Sequence, residues 1–190
     1  MAQDWIGMFL ALCVCWAFIA STGSMLFPIV TQTEIYGNEA YLNASIEEIG
    51  DDDFNKTFLI QFQALREIRE MKQLFTYSIR ALDGAIENAL LSRWIDACEF
   101  LRRPNSNRLL KIFYDAVKNH SRIPCCPYAK GATLMLNITP SSFKVPGFVP
   151  ETDFLIEVKG YIRARKVLIF ATRWFGSLTS LEPIDASYKG

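Results

Sequence analysis

The sequence has a single histidine, His120, and no surplus of charge: twenty Lys and Arg stand against twenty Asp and Glu in 190 residues. Without a basic excess it lacks the electrostatic means by which proteins hold nucleic acid, so no nucleic-acid partner is expected. A Gly-x-Ser-x-Gly elbow, a His-Glu-x-x-His zinc motif, a P-loop and a glycine-rich dinucleotide fingerprint are all missing. A Cys-His nucleophile would need His120 beside a free thiol; Cys125 and Cys126 are near it in sequence, but thiols of an exported chain pair with one another. Cys98, His120, Cys125 and Cys126 are metal-ligand types, yet adjacent cysteines point apart and lack the knuckle spacing of a zinc site. Asp51-Asp52-Asp53 lacks the loop glycine and terminal Glu of an EF-hand and reads as a solvated turn. The chain is therefore expected to be no enzyme, with no cofactor and no metal. Disorder is excluded by what is abundant: 51 % of residues are hydrophobic and 13 % aromatic.

Between positions 5 and 20 every residue but Gly7 is apolar, and no charge follows Asp4 until Glu34. That run is short for a bilayer span, which needs roughly 20 residues, and small residues follow it. We read 1–22 as a secretory signal peptide, although its start carries Asp4 and no Lys or Arg. The expected organisation is a signal peptide at 1–22, one β-sandwich domain at 23–180 and a polar tail at 181–190. Cys13 and Cys15 leave with the signal; of Cys98, Cys125 and Cys126, one pair and one leftover is the natural count in an oxidising compartment. Asn43, Asn55, Asn119 and Asn137 each begin an Asn-x-Ser/Thr triplet and are candidate glycosylation sites of a secreted, extracellular protein.

Most of the remaining chain alternates with period two, the signature of strands in an antiparallel sheet with one buried face. Phe58, Ile60 and Phe62 share one face, as do Phe75, Tyr77 and Ile79; Leu134, Leu136 and Ile138; and Phe154, Ile156 and Val158. The run 166–175 is largely apolar on both faces, as an interior strand is, and further strands are placed at 41–46 and 90–97. Segment 64–72 reads as a strand pair and its connection. After Pro104 the period becomes helical through Leu109, Leu110, Ile112, Phe113, Ala116 and Val117, with Asn105-Ser106-Asn107 supplying an N-cap. Stretch 140–150 has three prolines and is a loop or an edge. The fold class is all-β, a two-layer antiparallel sandwich with one short inserted helix.

Two sheets that pack fully leave no void; two sheets held apart at one end leave a pocket lined by the same residues. If they part, Phe58, Ile60, Phe62, Phe75, Tyr77, Ile79, Leu134, Leu136, Phe154, Ile156 and Val158 line the cavity. Phe143, Val145 and Phe148, on backbone too rich in proline for the sheet, are then its rim.

The segment Trp94-Ile95-Asp96-Ala97-Cys98-Glu99-Phe100-Leu101, a following amphipathic helix and then Cys126-Pro127-Tyr128 resemble the signature of a large insect family of secreted proteins. That family carries a domain-of-unknown-function label and is grouped with MD-2-related lipid-recognition proteins. The Pro146-Gly147-Phe148-Val149-Pro150-Glu151 wording is similar to its CheB branch, associated with gustatory and pheromone-related sensory cells. Two further cysteines of many relatives are missing between Gly23 and Ala97, Trp94 replaces a small polar residue, and Cys125 is extra. The resemblance implies a Cys98–Cys126 disulfide and an immunoglobulin-like sandwich whose apolar cavity binds a lipid or hydrocarbon without catalysis. It also implies a membrane receptor or channel as a partner. A secreted receptor-accessory or adhesion module with a filled core, acting through its surface, is the alternative.

Overall fold

The computed structural model describes residues 25–79, 89–143, 145–146 and 151–180. The signal peptide read at 1–22, the rim residue Phe148 and the tail at 181–190 lie outside the described residues.

The described chain forms two antiparallel sheets. The larger has the order β5-β4-β8-β9-β1-β7 and the smaller β2-β3-β6. Their strands are β1 (Met25–Gly37), β2 (Leu42–Ile49), β3 (Thr57–Ala64), β4 (Lys72–Ile79), β5 (Leu91–Asp96), β6 (Thr133–Ile138), β7 (Val145–Pro146), β8 (Asp153–Ile162) and β9 (Val167–Ser180). The sandwich read from the alternation is thus the fold. The 64–72 segment divides as expected into the end of β3, a connection, and the start of β4. The proline-rich stretch supplies the edge strand β7, which pairs only with Met25 and Leu26 of β1.

Strand β1 was not legible in the sequence. It begins next to the long apolar run and contains Pro28, a strand breaker. The structure accommodates Pro28 because β7 pairs only with Met25 and Leu26, so that among the described residues no strand pairs with Pro28 on that side.

Two helices connect β5 to β6: α1 (Ala97–Arg102) and α2 (Arg108–Val117). The expected helix is α2, capped by Asn107, whose side chain accepts the Leu110 N–H. The additional α1 is only six residues long and stops before Pro104, too short for a periodic signal. Asp96 caps α1: its carboxylate accepts the Glu99 N–H at 2.9 Å and pairs with Lys72. Burial pushes the Asp96 carboxyl up, but the hydrogen bonds from Lys72 and the Glu99 N–H outweigh it and hold the group below its ordinary value. Asp96→Ala is expected to cost about 0.5–2 kcal/mol in urea unfolding near neutral pH. Because the folded value is depressed, this contribution is present above the unfolded carboxyl pKa of about 3.9 and disappears as pH falls through the folded value. The difference between wild type and variant should therefore vanish in strong acid.

The core is centred on β3 and β9. Phe58 of β3 packs edge-on against Trp174 of β9, with ring centroids 5.2 Å apart, and Phe62 packs against Phe170 at 4.8 Å. Gly160 lets β8 lie under the Phe170 ring, since a Cβ there would stand 2.0 Å from a ring carbon. Trp174 donates its indole N–H to the buried Thr172 hydroxyl, so neither polar group is orphaned.

Candidate functional site

The two sheets are unequal, and strand order shows where the mismatch falls. Gly37 of β1 lies close to Ala44 of β2, since a Cβ on it would stand 2.9 Å from the Ala44 Cβ, and the aromatic pairs set β3 over β9. The small sheet continues one strand further, to β6, while the large sheet continues through β8 and β4 to β5. Three strands cannot cover six. The chain between β5 and β6, with α1 and α2, crosses from the edge of one sheet to the edge of the other on this side.

Burial follows this geometry. On β3, Phe58, Ile60 and Phe62 are 1 %, 2 % and 9 % exposed and belong to the packed core, as do Phe170, Trp174 and Leu178 on β9. On the next strand, β8, Phe154 is buried, but Ile156 and Val158 are only half-buried, although β8 has hydrogen-bonded neighbours on both sides. Their cross-strand partners Tyr77 and Phe75 on β4 are half-buried too, as is Ile79 opposite Phe154. Leu134 and Leu136 of β6, in register with Phe62 and Ile60, are half-buried. The structure therefore divides the eleven candidate cavity residues. Four form sealed core (Phe58, Ile60, Phe62 and Phe154). Phe75, Tyr77, Ile79, Ile156 and Val158 share one half-buried face of β4 and β8, a partly open apolar wall, with Leu134 and Leu136 on the other sheet; of these, Tyr77, Ile156, Val158, Leu134 and Leu136 pack against that core.

The wall has one polar group, the Tyr77 phenol, which burial pushes above its ordinary value and so keeps neutral. Its ring stacks on Phe154 at 6.3 Å. Of the rim residues, Phe143 is half-buried against Phe113 of α2 at 5.4 Å, and Val145 pairs with Leu26. A separate hollow of about 140 Å³ is lined by Thr31, Asp153, Phe154, Phe175, Gly176 and Ser177, all of β1, β8 and β9. It lies within one sheet and is smaller than the ~300–1,000 Å³ of ordinary small-molecule sites.

The residues of the sequence signature turn out to build a corner of the fold. Asp96 caps α1, Ala97 and Cys98 are buried behind it, and Cys98 is joined to Cys126. Tyr128 then bridges to Ile68 through both backbone groups at 2.9 Å, and burial pushes its phenol up to about 12. Trp94 lies on the other face of the sheet, against Tyr161 and under the Arg165 guanidinium at 4.3 Å. Cys125 is free and exposed.

His120 is exposed in a 3-10 turn after α2. Among the described residues, no group of three or more His, Cys, Asp or Glu side chains is placed to hold a metal ion. Among the described residues, no helix is long and apolar enough to cross a membrane. Asn43, Asn55 and Asn119 are exposed, and Asn137 is half-buried within β6. Asp51, Asp52 and Asp53 form the turn expected of them, in which Asp52 accepts the Phe54 N–H and the Asn55 amide.

Residues 69–156 match a family model described as "Protein of unknown function (DUF1091)". The matched stretch runs from the connection before β4 into β8. It holds the disulfide corner, both helices and most of the partly open wall, but not the β3–β9 core. No curated protein matches the chain. A solved structure titled "Crystal structure of the C-terminal domain of wzt" aligns over 85 % of this chain and 90 % of that one, at 10 % identity and a TM-score of 0.34. That likeness is too distant to inform fold or function.

Proposed function

We propose that this DUF1091-matching chain is a secreted, non-enzymatic binder of a lipid or hydrocarbon-like apolar ligand, of MD-2-related lipid-recognition type. The ligand lies between β6 and the β4–β8 wall. The observation that carries the reading is the partial exposure of Ile156 and Val158 on the inner face of a strand with neighbours on both sides. Such positions are normally covered by the opposing sheet, and here that sheet has only its edge strand β6 left to cover them. Filling the gap with an alkyl chain yields about 0.8 kcal/mol per buried CH₂ before the costs of binding. A wall with one neutral phenol and otherwise aliphatic and aromatic groups selects by shape and length, so specificity among homologous chains is loose.

The Cys98–Cys126 disulfide supports export, since such bonds persist in oxidising compartments. Catalysis is left out because His120, the one histidine, sits exposed on a surface turn. The resemblance to the CheB branch favours an insect gustatory or pheromone setting, with a membrane receptor or channel receiving the ligand.

Organic extraction of the purified protein followed by mass spectrometry is expected to release an apolar compound in near-stoichiometric amount. Ile156→Phe and Leu136→Trp should abolish its uptake at little cost in stability, because the added bulk enters open space. In a filled core the same substitutions cost about 1–3 kcal/mol. Destabilisation on that scale, with no compound released from wild type, would overturn the proposal in favour of a surface-acting adhesion or accessory module.

A further inference from the structure

Helix α2 carries apolar side chains on two faces. Leu110, Tyr114 and Val117 are half-buried, and Tyr114 packs edge-on against Phe100 of α1 at 5.7 Å. On another face, Ile112 is 64 % exposed and Phe113 45 % exposed, with Ala116 exposed one turn on. Their spacing makes a stripe along the helix, and the Phe113–Phe143 contact extends it onto the neighbouring loop. Lys111 and Lys118 flank Asp115, which pairs with both and is held below its ordinary carboxyl value by their hydrogen bonds.

The stripe sits in a basic stretch of a chain that is neutral as a whole. Positions 102–122 hold Arg102, Arg103, Arg108, Lys111, Lys118 and Arg122 against the single acid Asp115. Exposed Ile and Phe on a short helix set in basic surroundings match an element that lies in a bilayer interface: apolar groups enter the acyl boundary while cations meet anionic head groups. We propose that α2 docks the protein reversibly on a lipid surface containing anionic lipids, through Ile112 and Phe113. The inference stands independently of the apolar ligand, since it uses the outward face of α2 and not the wall between the sheets. A second copy covering the stripe would bring two basic segments together, which charge opposes.

Sedimentation of the purified protein with phosphatidylcholine vesicles containing about one-third phosphatidylglycerol tests it. Expected are co-sedimentation with these vesicles, weak retention on pure phosphatidylcholine, and loss of binding in high salt. Ile112→Asp, at an exposed position, should lower the affinity by about tenfold or more, and Phe113→Ser should act in the same direction. Arg103→Glu should weaken binding to the anionic vesicles only. Full binding by both Ile112→Asp and Phe113→Ser would place the contact elsewhere and overturn the proposal. So would absence of vesicle binding together with a dimer that Ile112→Asp dissociates, which would assign the stripe to a second copy. Extraction of bound compound from Ile112→Asp should match wild type, which separates failure here from failure of the ligand-binding reading.

Discussion

Replacing Phe58 by alanine is expected to lower the free energy of unfolding by about 3–5 kcal/mol, the largest effect of any single apolar truncation considered for this protein. Phe58 is 1 % exposed, its ring meets Trp174 across the sheets at 5.2 Å, and β3 is the middle strand of its sheet. Truncation removes buried ring surface and leaves a cavity that β2 and β6, hydrogen-bonded on either side, prevent from collapsing. Urea unfolding followed by Trp fluorescence reads the change directly. Phe75→Ala on β4 serves as the comparison. Phe75 has the same residue type and the same alternation, but it is half-buried on the partly open wall, so its truncation should cost clearly less. Equal costs for the two would mean that the wall is as tightly packed as the β3–β9 core and would remove the room proposed for a ligand.

The second large effect is expected from the disulfide. Cys98 and Cys126 are 28 positions apart in sequence, and the chain-entropy account gives about 3–4 kcal/mol for closing a loop of that size. The bond fastens the segment that carries α1 and α2 to the corner where Tyr128 meets Ile68. The double substitution Cys98→Ala, Cys126→Ala avoids a half-pair beside Cys125 and should lower the free energy of unfolding in urea by that amount. Cys125→Ser, at the exposed free thiol, should leave it unchanged. Non-reducing peptide mapping is expected to recover Cys98 linked to Cys126; recovery of Cys98 with Cys125 would contradict the pairing.

Alternation at 58–62, 75–79, 134–138 and 154–158 was enough to read antiparallel strands, and the switch to helical spacing after Pro104 with Asn107 before it was enough to read α2 and its cap. The disulfide was legible through the resemblance carried by Asp96-Ala97-Cys98 and Cys126-Pro127-Tyr128, because those residues serve a local need. An Asp caps a short helix, small residues fit behind it, and a tyrosine closes the corner. Strand β1 escaped because its partners β7 and β9 lie far along the chain and its own composition, with Pro28, argues against a strand. The outward stripe of α2 also escaped, since spacing shows that a helix has apolar faces but not which of them finds a neighbour.

Local sequence thus determined most of the strands, the helix with its cap, and which side chains share a face, because period, capping and turn chemistry act within a few residues. Only the tertiary structure decided which of those faces are sealed. Phe58, Ile60 and Phe62 carry the same pattern as Phe75, Tyr77 and Ile79, yet the first set lies under β9 and the second lies where a three-stranded sheet ends against a six-stranded one. That difference depends on strand order and on the number of strands in each layer. Both are set by pairings between distant segments, which no window of sequence contains.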